Sequence, residues 1–585
     1  MGTALRTLRA AFRDAPKNPI RVGAGWFGFA PALTLALFLL PIAAGLLGTV
    51  LPAFGYLPAI GGQEFSLQPW RDLFAQPGVW TSLRLTLSAG VLAAILSLLL
   101  ALGFCALGAH SRGFRRLQLL VPPLLATPHV AMAVGFAFVA APSGWIVRAL
   151  SPWLTGWERP PTDLVTVQDP LGLAMVAGLL LKEVPYLILM TLAALNQVPQ
   201  RALLSAGASL GYPRLVAWIK LVLPQIYPQL RLPVYAVLAF SLSNVEVALI
   251  LAPGNPPPLA VLALRWFSGY DLQLYFPAAA AACLQLVVVA LAILCWRGGE
   301  ELVARLGRRW CASGNRRDPA NAVAAACGLA SLVVFGLGVA TLAAMGIWSL
   351  ADSWRYPQAW PAELSLRTWI AQGPRVADTV VTTLTLALGS ALAALLLAIA
   401  CLENESRRHF TPAARVLWLV YLPLLVPQIA FLYGVQVVLV WLRLDGAWLA
   451  VAWSHLVFVL PYVFLSLADP WRALDQRYPR TATALGASPL RTLGTVRLPM
   501  LLKPLLVAFA VGCAVSVGQY LPTLFAGGGR VATLTTEAIT LSTGADRRIL
   551  GVYTFLQAAI PLVVYALAIA LPLVVYRRRR WFRSP

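Results

Sequence analysis

The chain has 585 residues, of which 59% are hydrophobic and only 11% are charged. A soluble protein carries about 25% charged residues, so this composition excludes a water-soluble globular fold and indicates a polytopic membrane protein. The net charge of +23 would suit a nucleic-acid partner in a soluble protein. Here we attribute it to basic segments on the cytoplasmic side of a membrane, and we expect no nucleic-acid partner.

Twelve apolar segments are each long enough to cross a bilayer as a helix. They occupy residues 26–54, 79–108, 117–141, 171–197, 229–252, 276–296, 322–350, 379–402, 415–441, 449–468, 504–526 and 549–576. If both termini are cytoplasmic, most Lys and Arg residues fall in the inner segments, as the positive-inside rule requires. The sequence therefore predicts an all-α protein with about twelve transmembrane helices and a lipid bilayer around it.

The terminal segments and the cysteines predict no further chemistry. Residues 1–25 are basic and mildly amphipathic, which is typical of a cytoplasmic or headgroup-bound N-terminus, and we expect the first apolar segment to remain as an anchor. The basic tail 577–585 also faces the cytoplasm in this interpretation. The seven cysteines form no CxxC pair and lie mostly in apolar segments, so we expect neither a disulfide nor a metal site, and no cofactor.

The chain repeats itself. TSLRLTLSAGVLAAILSLLLALG, which begins at Thr81, is similar to TTLTLALGSALAALLLAIA, which begins at Thr382. The Pro185-Tyr186 pair likewise returns as Pro461-Tyr462. Six predicted spans precede a basic joint at 301–321 and six follow it, so the halves 26–300 and 322–576 enter the membrane with the same orientation. This pattern predicts two parallel repeats related by an axis along the membrane normal.

One polar stretch occurs in both halves between the fourth and fifth spans. It reads SAGASLGYPRLVAWIKLVLP from Ser205 and RTATALGASPLRTLGTVRLP from Arg480. In both copies a glycine precedes a Leu-Pro pair at the same spacing, which predicts a short helix, a bend, a second short helix and a proline that stops it. The shared residues are Gly211, Leu223 and Pro224 in the first copy and Gly486, Leu498 and Pro499 in the second.

This spacing resembles the cytoplasmic EAA loop in the permease subunits of binding-protein-dependent ABC importers. Ser205 and Arg480 stand where that motif has its acidic residue. The resemblance implies a MetI-like fold in each half, a bacterial inner-membrane location and an extracytoplasmic substrate-binding protein as partner. It also implies that the two loops couple the permease to a separate ATPase subunit, present in two copies.

No catalytic residues are predicted. A phosphate-binding loop needs Gly-Lys followed by Ser or Thr, and none of the four lysines of this chain follows a glycine. GxSxG and HExxH patterns are also missing. We therefore expect a protein that is not an enzyme and whose transport depends on ATP hydrolysis by a partner.

Polar residues within transmembrane segments are energetically costly, so we assign them to a translocation pathway by default. They are His129, Lys182, Glu183, Asn244 and Glu246 in the first half and Gln428, His455 and Gln519 in the second. The alternative is that they form interhelical pairs that stabilise the bundle, above all for His129. Because neighbouring helical positions point about 100° apart, we expect Lys182 and Glu183 to meet different partners.

The substrate follows from charge and from a second resemblance. Glu183 and Glu246 favour a small cation, and Tyr186 and Tyr462 could stack against an aromatic ring or contact a cation. The segment LAPGNPPPLAVLALRW, which begins at Leu251, resembles the fused permeases of thiamine or iron type. The sequence therefore predicts thiamine or a related small cation, while polyamine, ferric-iron and sulfate permeases share the architecture.

The rival interpretation is a proton-coupled secondary transporter of the major facilitator type, which is also built from six-plus-six parallel repeats. Its signature would be a Gly/Asp/Arg loop between the second and third spans. GAHSRGFRR, from Gly108, lacks the aspartate, and ENESRRHF, from Glu403, lacks the glycines. The Gly-to-Leu-Pro stretches favour the importer permease.

Overall fold

The computed structural model describes residues 28–108, 120–314, 316, 320–408, 414–544 and 546–576. Within these ranges the chain is helical, apart from loops and one antiparallel pair of short strands, β1 (Ala351–Ser353) and β2 (Glu363–Leu364). An apolar helix satisfies its own backbone hydrogen bonds, which is why a chain of this composition can reside in lipid. The predicted all-α polytopic fold is confirmed. The predicted cytoplasmic segments 1–25 and 577–585 lie outside the described residues.

The helices of the first half form a series that ends in one very long helix. They are α1 (Ala30–Ala53), α2 (Gln68–Ala75), α3 (Val79–Gly108), α4 (Val121–Ala126), α5 (His129–Ala140), α6 (Trp145–Leu150), α7 (Leu173–Leu195), α8 (Gln200–Ser209), α9 (Arg214–Ala217), α10 (Leu223–Ser243), α11 (Glu246–Leu251), α12 (Leu259–Phe267) and α13 (Tyr275–Ala312). A π-helix, Trp218–Val222, joins α9 to α10, and two 3₁₀ turns cover Pro58–Ile60 and Leu272–Leu274.

The helices of the second half begin with a long one, and the two strands follow it. They are α14 (Ala320–Leu350), α15 (Arg367–Arg408), α16 (Ala414–Leu425), α17 (Ile429–Trp441), α18 (Trp448–Ala473), α19 (Arg477–Ala484), α20 (Pro489–Thr492), α21 (Leu498–Met500), α22 (Leu502–Val517), α23 (Leu521–Gly527), α24 (Leu534–Ser542) and α25 (Arg547–Val575). A second π-helix, Leu493–Arg497, joins α20 to α21. The predicted boundary at 300 falls inside α13, which continues into the joint as far as Ala312.

Within the described residues, nine helices are long and apolar enough to cross a membrane, and two bent pairs raise the number to eleven if each pair forms one span. The predicted span 229–252 corresponds to α10 and α11, which are separated at Asn244. Several predicted spans are thus broken helices. Pro128 separates α4 from α5, and Pro427 separates α16 from α17, because proline has no N–H to donate to the preceding turn.

The first helix of each half packs against the other half. Helix α1 contacts α15, α17 and α18 of the second half, and α14 contacts α3, α5 and α7 of the first. Both crossings involve a glycine. A Cβ on Gly434 of α17 would collide with the backbone of Gly45 in α1, and a Cβ on Gly135 of α5 would lie 2.8 Å from the carbonyl oxygen of Thr341 in α14. Small residues let the helix backbones approach this closely.

Candidate functional site

Lys182 lies in α7 and reaches the break between α4 and α5. Its side chain is buried, and its Nζ donates to the carbonyl oxygen of Leu125 at 2.8 Å and to that of Thr127. The last carbonyls of a helix have no helical donor, and Pro128 supplies none. The ammonium group therefore takes the place of the missing N–H donors and fixes the broken helix.

The neighbouring carboxylate, Glu183, faces His129 at the first turn of α5. Its Oε1 lies 3.9 Å from His129 Nε2, and the imidazole packs against the ring of Phe240 with 4.5 Å between centroids. Lys182 and Glu183 thus contact different groups, as the helical rotation predicts. Both side chains nevertheless reach the break between α4 and α5, because the long lysine stem can bend towards it.

Glu246 connects the two halves. It is buried at the start of α11, and its Oε1 accepts a hydrogen bond of 3.3 Å from the backbone N–H of Tyr520, immediately before α23. Asn244 stays within its own half, where its Oδ1 accepts from Val247 N at 2.7 Å and caps α11. Gln519 is also buried, and its Oε1 has no hydrogen-bond partner among the described residues.

His455 makes two short contacts within the second half. Its Nδ1 lies 2.7 Å from Ser516 Oγ, and its Nε2 lies 2.8 Å from Thr523 Oγ1. In a neutral imidazole one nitrogen donates and the other accepts, and a hydroxyl can serve either nitrogen. These contacts fasten α18 to α22 and α23, which agrees with the stabilising alternative. Gln428 is half-buried at the beginning of α17, and its side chain makes no capping hydrogen bond to that helix.

The polar residues therefore differ in how fully they are satisfied. Lys182 has two carbonyl acceptors and His455 two hydroxyls, whereas Glu183 has one long contact and Glu246 a single hydrogen bond. Tyr186 of the first half and Tyr462 of the second both lie close enough to Glu183 to interact with its charge. Among the described residues at the junction of the halves, the incompletely paired polar groups are thus two carboxylates and the Gln519 amide, with aromatic rings beside Glu183. Their role in a pathway stays a prediction.

The polar stretch of the first half has the predicted helix, bend and helix. Helix α8 ends in a Schellman motif: Gly211 has φ +73°, its N–H donates to Ala208 O at 2.9 Å, and Tyr212 N donates to Gly207 O at 3.0 Å. Ser205 is exposed on α8. We call residues 200–224 the first coupling segment, after the role that the resemblance implies and that stays a prediction.

The second copy has the same geometry. Helix α19 also ends in a Schellman motif. Gly486 has φ +87°, the Gly486 N–H donates to Thr483 O at 3.0 Å, and Ala487 N donates to Ala482 O at 3.0 Å. Arg480 is exposed on α19. Two glycines at equivalent positions thus adopt the left-handed conformation that a Schellman motif requires. We call residues 477–499 the second coupling segment.

The predicted proline stop is wrong. Pro224 lies in the first turn of α10 and Pro499 in α21, so each proline begins the next helix after a π-helix instead of ending the preceding one. Proline has no N–H to donate, and in both copies the turn that precedes it is a π-helix in place of a regular α-helical turn. The Leu-Pro pairs, Leu223-Pro224 and Leu498-Pro499, therefore mark the entry of the chain into its fifth span.

Comparison with known proteins gives one relevant similarity. The chain is 33% identical over 506 residues to the inner membrane ABC transporter permease protein YnjC of Escherichia coli (strain K12), and the alignment covers 86% of this chain and 90% of that protein. No protein-family model matches the chain. This chain belongs to the ABC transporter permeases.

Membership of this family decides between the two transporter classes. The permease is a multi-pass inner-membrane protein, and a major facilitator is not favoured. The first of the two stretches compared with the facilitator signature, GAHSRGFRR, falls almost wholly in 109–119, outside the described residues.

Two contacts of the permease could not be predicted from its polar residues. The partner of Glu246 is a backbone N–H, and those of Lys182 are backbone carbonyls, which any residue type provides. A third contact does have a signal in the sequence. Glu403 directly follows a predicted transmembrane segment, and Arg497 lies in the second coupling segment. Opposite charges at one predicted membrane face are candidates for an ion pair, and these two residues form one.

Proposed function

We propose that the permease is the membrane subunit of a binding-protein-dependent importer and that it couples to two copies of a separate ATPase subunit through its two coupling segments. The observation that carries the proposal is the repetition of one exposed geometry, a Schellman turn at Gly211 and at Gly486 followed by a short helix and a π-helix. Two equivalent protrusions suit two equivalent partners.

The tips of both segments expose apolar side chains. Leu210 is 58% exposed, Leu485 is 83% exposed and Leu490 is 64% exposed. Such residues beside arginines are typical of a surface that a protein partner covers. The hydrogen bonds of Asp475, which precedes α19, also hold the beginning of the second coupling segment in place. The Arg477 guanidinium beside Asp475 holds the pKa of that carboxyl below its usual range, so it stays ionised at the helix N-terminus.

The coupling role is tested by replacing Gly211 or Gly486 with valine. A β-branched residue is strained at positive φ, so the bend between the two short helices should be lost while the spans still insert. We expect uptake to be lost and ATP hydrolysis to become independent of substrate. Gly373→Val is the control, because its φ is not positive and a Cβ there meets nothing within 4 Å among the described residues. Normal substrate-stimulated hydrolysis in both variants would contradict the role.

For the substrate we propose thiamine or another small cation. Lys182 is held by the carbonyls of Leu125 and Thr127, and it lies close enough to Glu183 and Glu246 to interact with the charges of both. Two carboxylates, Glu183 and Glu246, then outnumber one lysine where the halves meet. An intramembrane carboxylate that lacks a full set of partners attracts a cation, and the nearby tyrosines add ring faces to it.

Calorimetry on the binding protein that serves this permease would test the substrate directly. Thiamine, a polyamine, ferric iron and sulfate should be titrated in parallel, and we expect the organic cations to bind. Sulfate binding with no response to thiamine or the polyamine would contradict the proposal. The proposed cytoplasmic location of both termini is tested separately, by labelling cysteines placed at Gly211 and Gly486 from either side of the membrane.

A further inference from the structure

Each coupling segment contains a π-helix with a buried cation in it. Lys220 lies in the π-helix of the first segment and is 7% exposed, and Arg497 lies in that of the second and is 8% exposed. π-Helices are rare and are frequent at functional sites. A buried cation must find acceptors or aromatic faces, and these two find them on different helices.

Lys220 is fastened to the cytoplasmic end of α13. Its Nζ donates to the carbonyl oxygen of Trp310 at 3.2 Å and lies 4.4 Å from the centroid of the Trp310 ring. On its other side it lies 4.7 Å from the ring of Tyr212, which directly follows the bend at Gly211. One ammonium group thus holds the turn of the first segment against the last helix of the first half.

Arg497 is fastened to the cytoplasmic end of α15. Its Nη1 donates to Glu403 Oε2 at 2.5 Å, and Arg407 Nε, one helical turn further along α15, donates to Glu403 Oε1 at 2.7 Å. The Glu403 side chain is 4% exposed. Charge-assisted hydrogen bonds in a buried site are strong, so this contact binds the second segment to the second span of its half.

The two anchors are not copies of one another. The glycine and Leu-Pro positions place Thr495 opposite Lys220 and Val222 opposite Arg497. Thr495 donates its hydroxyl hydrogen to Arg491 O at 2.6 Å within its own helix, and Val222 is fully buried. The two buried cations therefore make different connections to the membrane helices, although Pro499 O of the second segment also accepts a hydrogen bond from Tyr576 Oη at the end of α25.

We propose that these buried cations are the anchors through which the coupling segments act on the membrane helices, and that the first segment acts on α13 and the second on α15. The claim that the anchors transmit movement rests on the proposed coupling role. Helix α15 packs against α18 and α22, whereas α13 packs against α1, α10 and α12 and leads into the joint. Equal movements of two ATPase subunits would therefore displace different helices in the two halves.

Hydrogen exchange of the intact permease in lipid nanodiscs, followed by mass spectrometry, tests the anchors without any partner. Lys220→Met should raise exchange about tenfold in the first coupling segment and at the end of α13, because a buried charge-assisted contact is lost. The second segment should not change. Arg497→Met should do the reverse, raising exchange in the second segment and at the end of α15 only.

Conservative variants separate anchoring from general loosening. Lys220→Arg and Arg497→Lys retain a donor and a charge and should restore near-normal exchange. Thr495→Met is the matched control for Lys220→Met and should change neither segment. Equal loosening of both segments by either methionine variant, or no change at the end of α13 in Lys220→Met, would overturn the proposal.

A second measurement shows whether the anchors transmit movement. The complex with its ATPase subunit should be isolated through a tag on the permease. In Lys220→Met we expect substrate-stimulated hydrolysis per bound ATPase subunit to fall severalfold, with recovery in Lys220→Arg. Normal stimulation in Lys220→Met would overturn the transmission role. If the unaltered permease bound no ATPase, the proposed function would fail, and the exchange results would still decide whether the anchors exist.

Discussion

The two halves carry different side chains at equivalent positions beside the Pro-Tyr pair. Alignment on Pro185-Tyr186 and Pro461-Tyr462 places Phe458 opposite Lys182 and Val459 opposite Glu183. Lys182 bonds to two carbonyls at the break between α4 and α5, whereas Phe458 packs on Phe431 of α17 with 5.8 Å between ring centroids. An ionic arrangement in one half thus occupies the place of an apolar one in the other.

The break itself is common to both halves. The axes of Leu419–Leu425 and Ile429–Trp441 differ by 100° in the second half, with Pro427 between them, and Pro128 interrupts the first half in the same way. The bend therefore follows from proline, which removes a backbone donor, and does not need a charge. The charges of the first half are consequently free to differ from those of the second, which is what a substrate without two-fold symmetry would require.

Lys182→Met is expected to have the largest effect on stability. It leaves two buried carbonyls and Glu183 without the ammonium group, which should destabilise the permease by about 4 kcal/mol. The matched change in the second half, Phe458→Met, replaces one apolar side chain by a somewhat smaller apolar one and should lower stability by only about 1 kcal/mol. Thermal unfolding of the purified variants in one detergent measures both. Equal losses of stability in the two variants would show that Lys182 and Phe458 contribute equally to the stability of the fold.

The second comparison concerns α1 and α14, the two helices that pack against the opposite half (the helix exchange). Gly434→Ala should destabilise by about 3 kcal/mol, because the new methyl group meets the backbone of Gly45, which cannot move aside. Gly135→Ala meets the Thr341 methyl group and the Met345 side chain as well as one backbone oxygen, so part of the overlap can relax and a smaller loss is expected. Gly336→Ala has nothing within 4 Å among the described residues and should be neutral in the same unfolding assay.

A third prediction sharpens the contrast between two ion pairs near the end of α15. Glu403→Gln leaves Arg497 buried without a carboxylate and should lower stability by about 2 kcal/mol. The control is Glu405→Gln, which breaks the more exposed pair with Arg472 and should lower stability by less than about 1 kcal/mol. Unfolding in high salt should abolish the effect of the control and leave that of Glu403→Gln. A loss at Glu403 that disappears in salt would mean that the pair is open to solvent.

The smallest effect on stability is expected at the contact between the halves. Glu246→Gln keeps an oxygen that can accept from Tyr520 N, so unfolding should change by less than about 0.5 kcal/mol. Uptake of the cation carried by the binding protein should nevertheless fall, because the charge is gone. Undiminished uptake in vesicles that contain this variant would remove Glu246 from the proposed cation site.

The sequence predicted those features that repeat or that depend on local chemistry. Apolar length predicted the spans, and the spacing of Gly211 and Gly486 before Leu-Pro predicted the bent coupling segments with exposed tips. The role of Pro224 was mistaken because proline is equally compatible with the end of one helix and the first turn of the next. Only the π-helix, which has no sequence signature here, distinguishes the two cases.

The remaining features depend on contacts far apart in the chain. Lys182 was identified as an intramembrane charge, but its acceptors are carbonyls, which carry no side-chain signal. The exchange of α1 and α14 was not predicted either, since an apolar helix is equally compatible with either half. Gly45 and Gly434 are separated by almost 400 residues and become neighbours only in the folded molecule.

That separation has a consequence for synthesis of the chain. When α1 leaves the ribosome, the helix that it will pack against has not been made, and at about 5–20 residues per second the interval before Gly434 follows Gly45 is on the order of 20–80 s. During this time the small-residue face of α1 can touch only lipid or helices already in the bilayer. A ribosome that stops at the joint would release a half in which α1 can pack against α13 but lacks α17, its partner in the second half. Premature termination should therefore yield a substrate for membrane proteases, and the joint keeps both halves on one molecule until the exchange is complete.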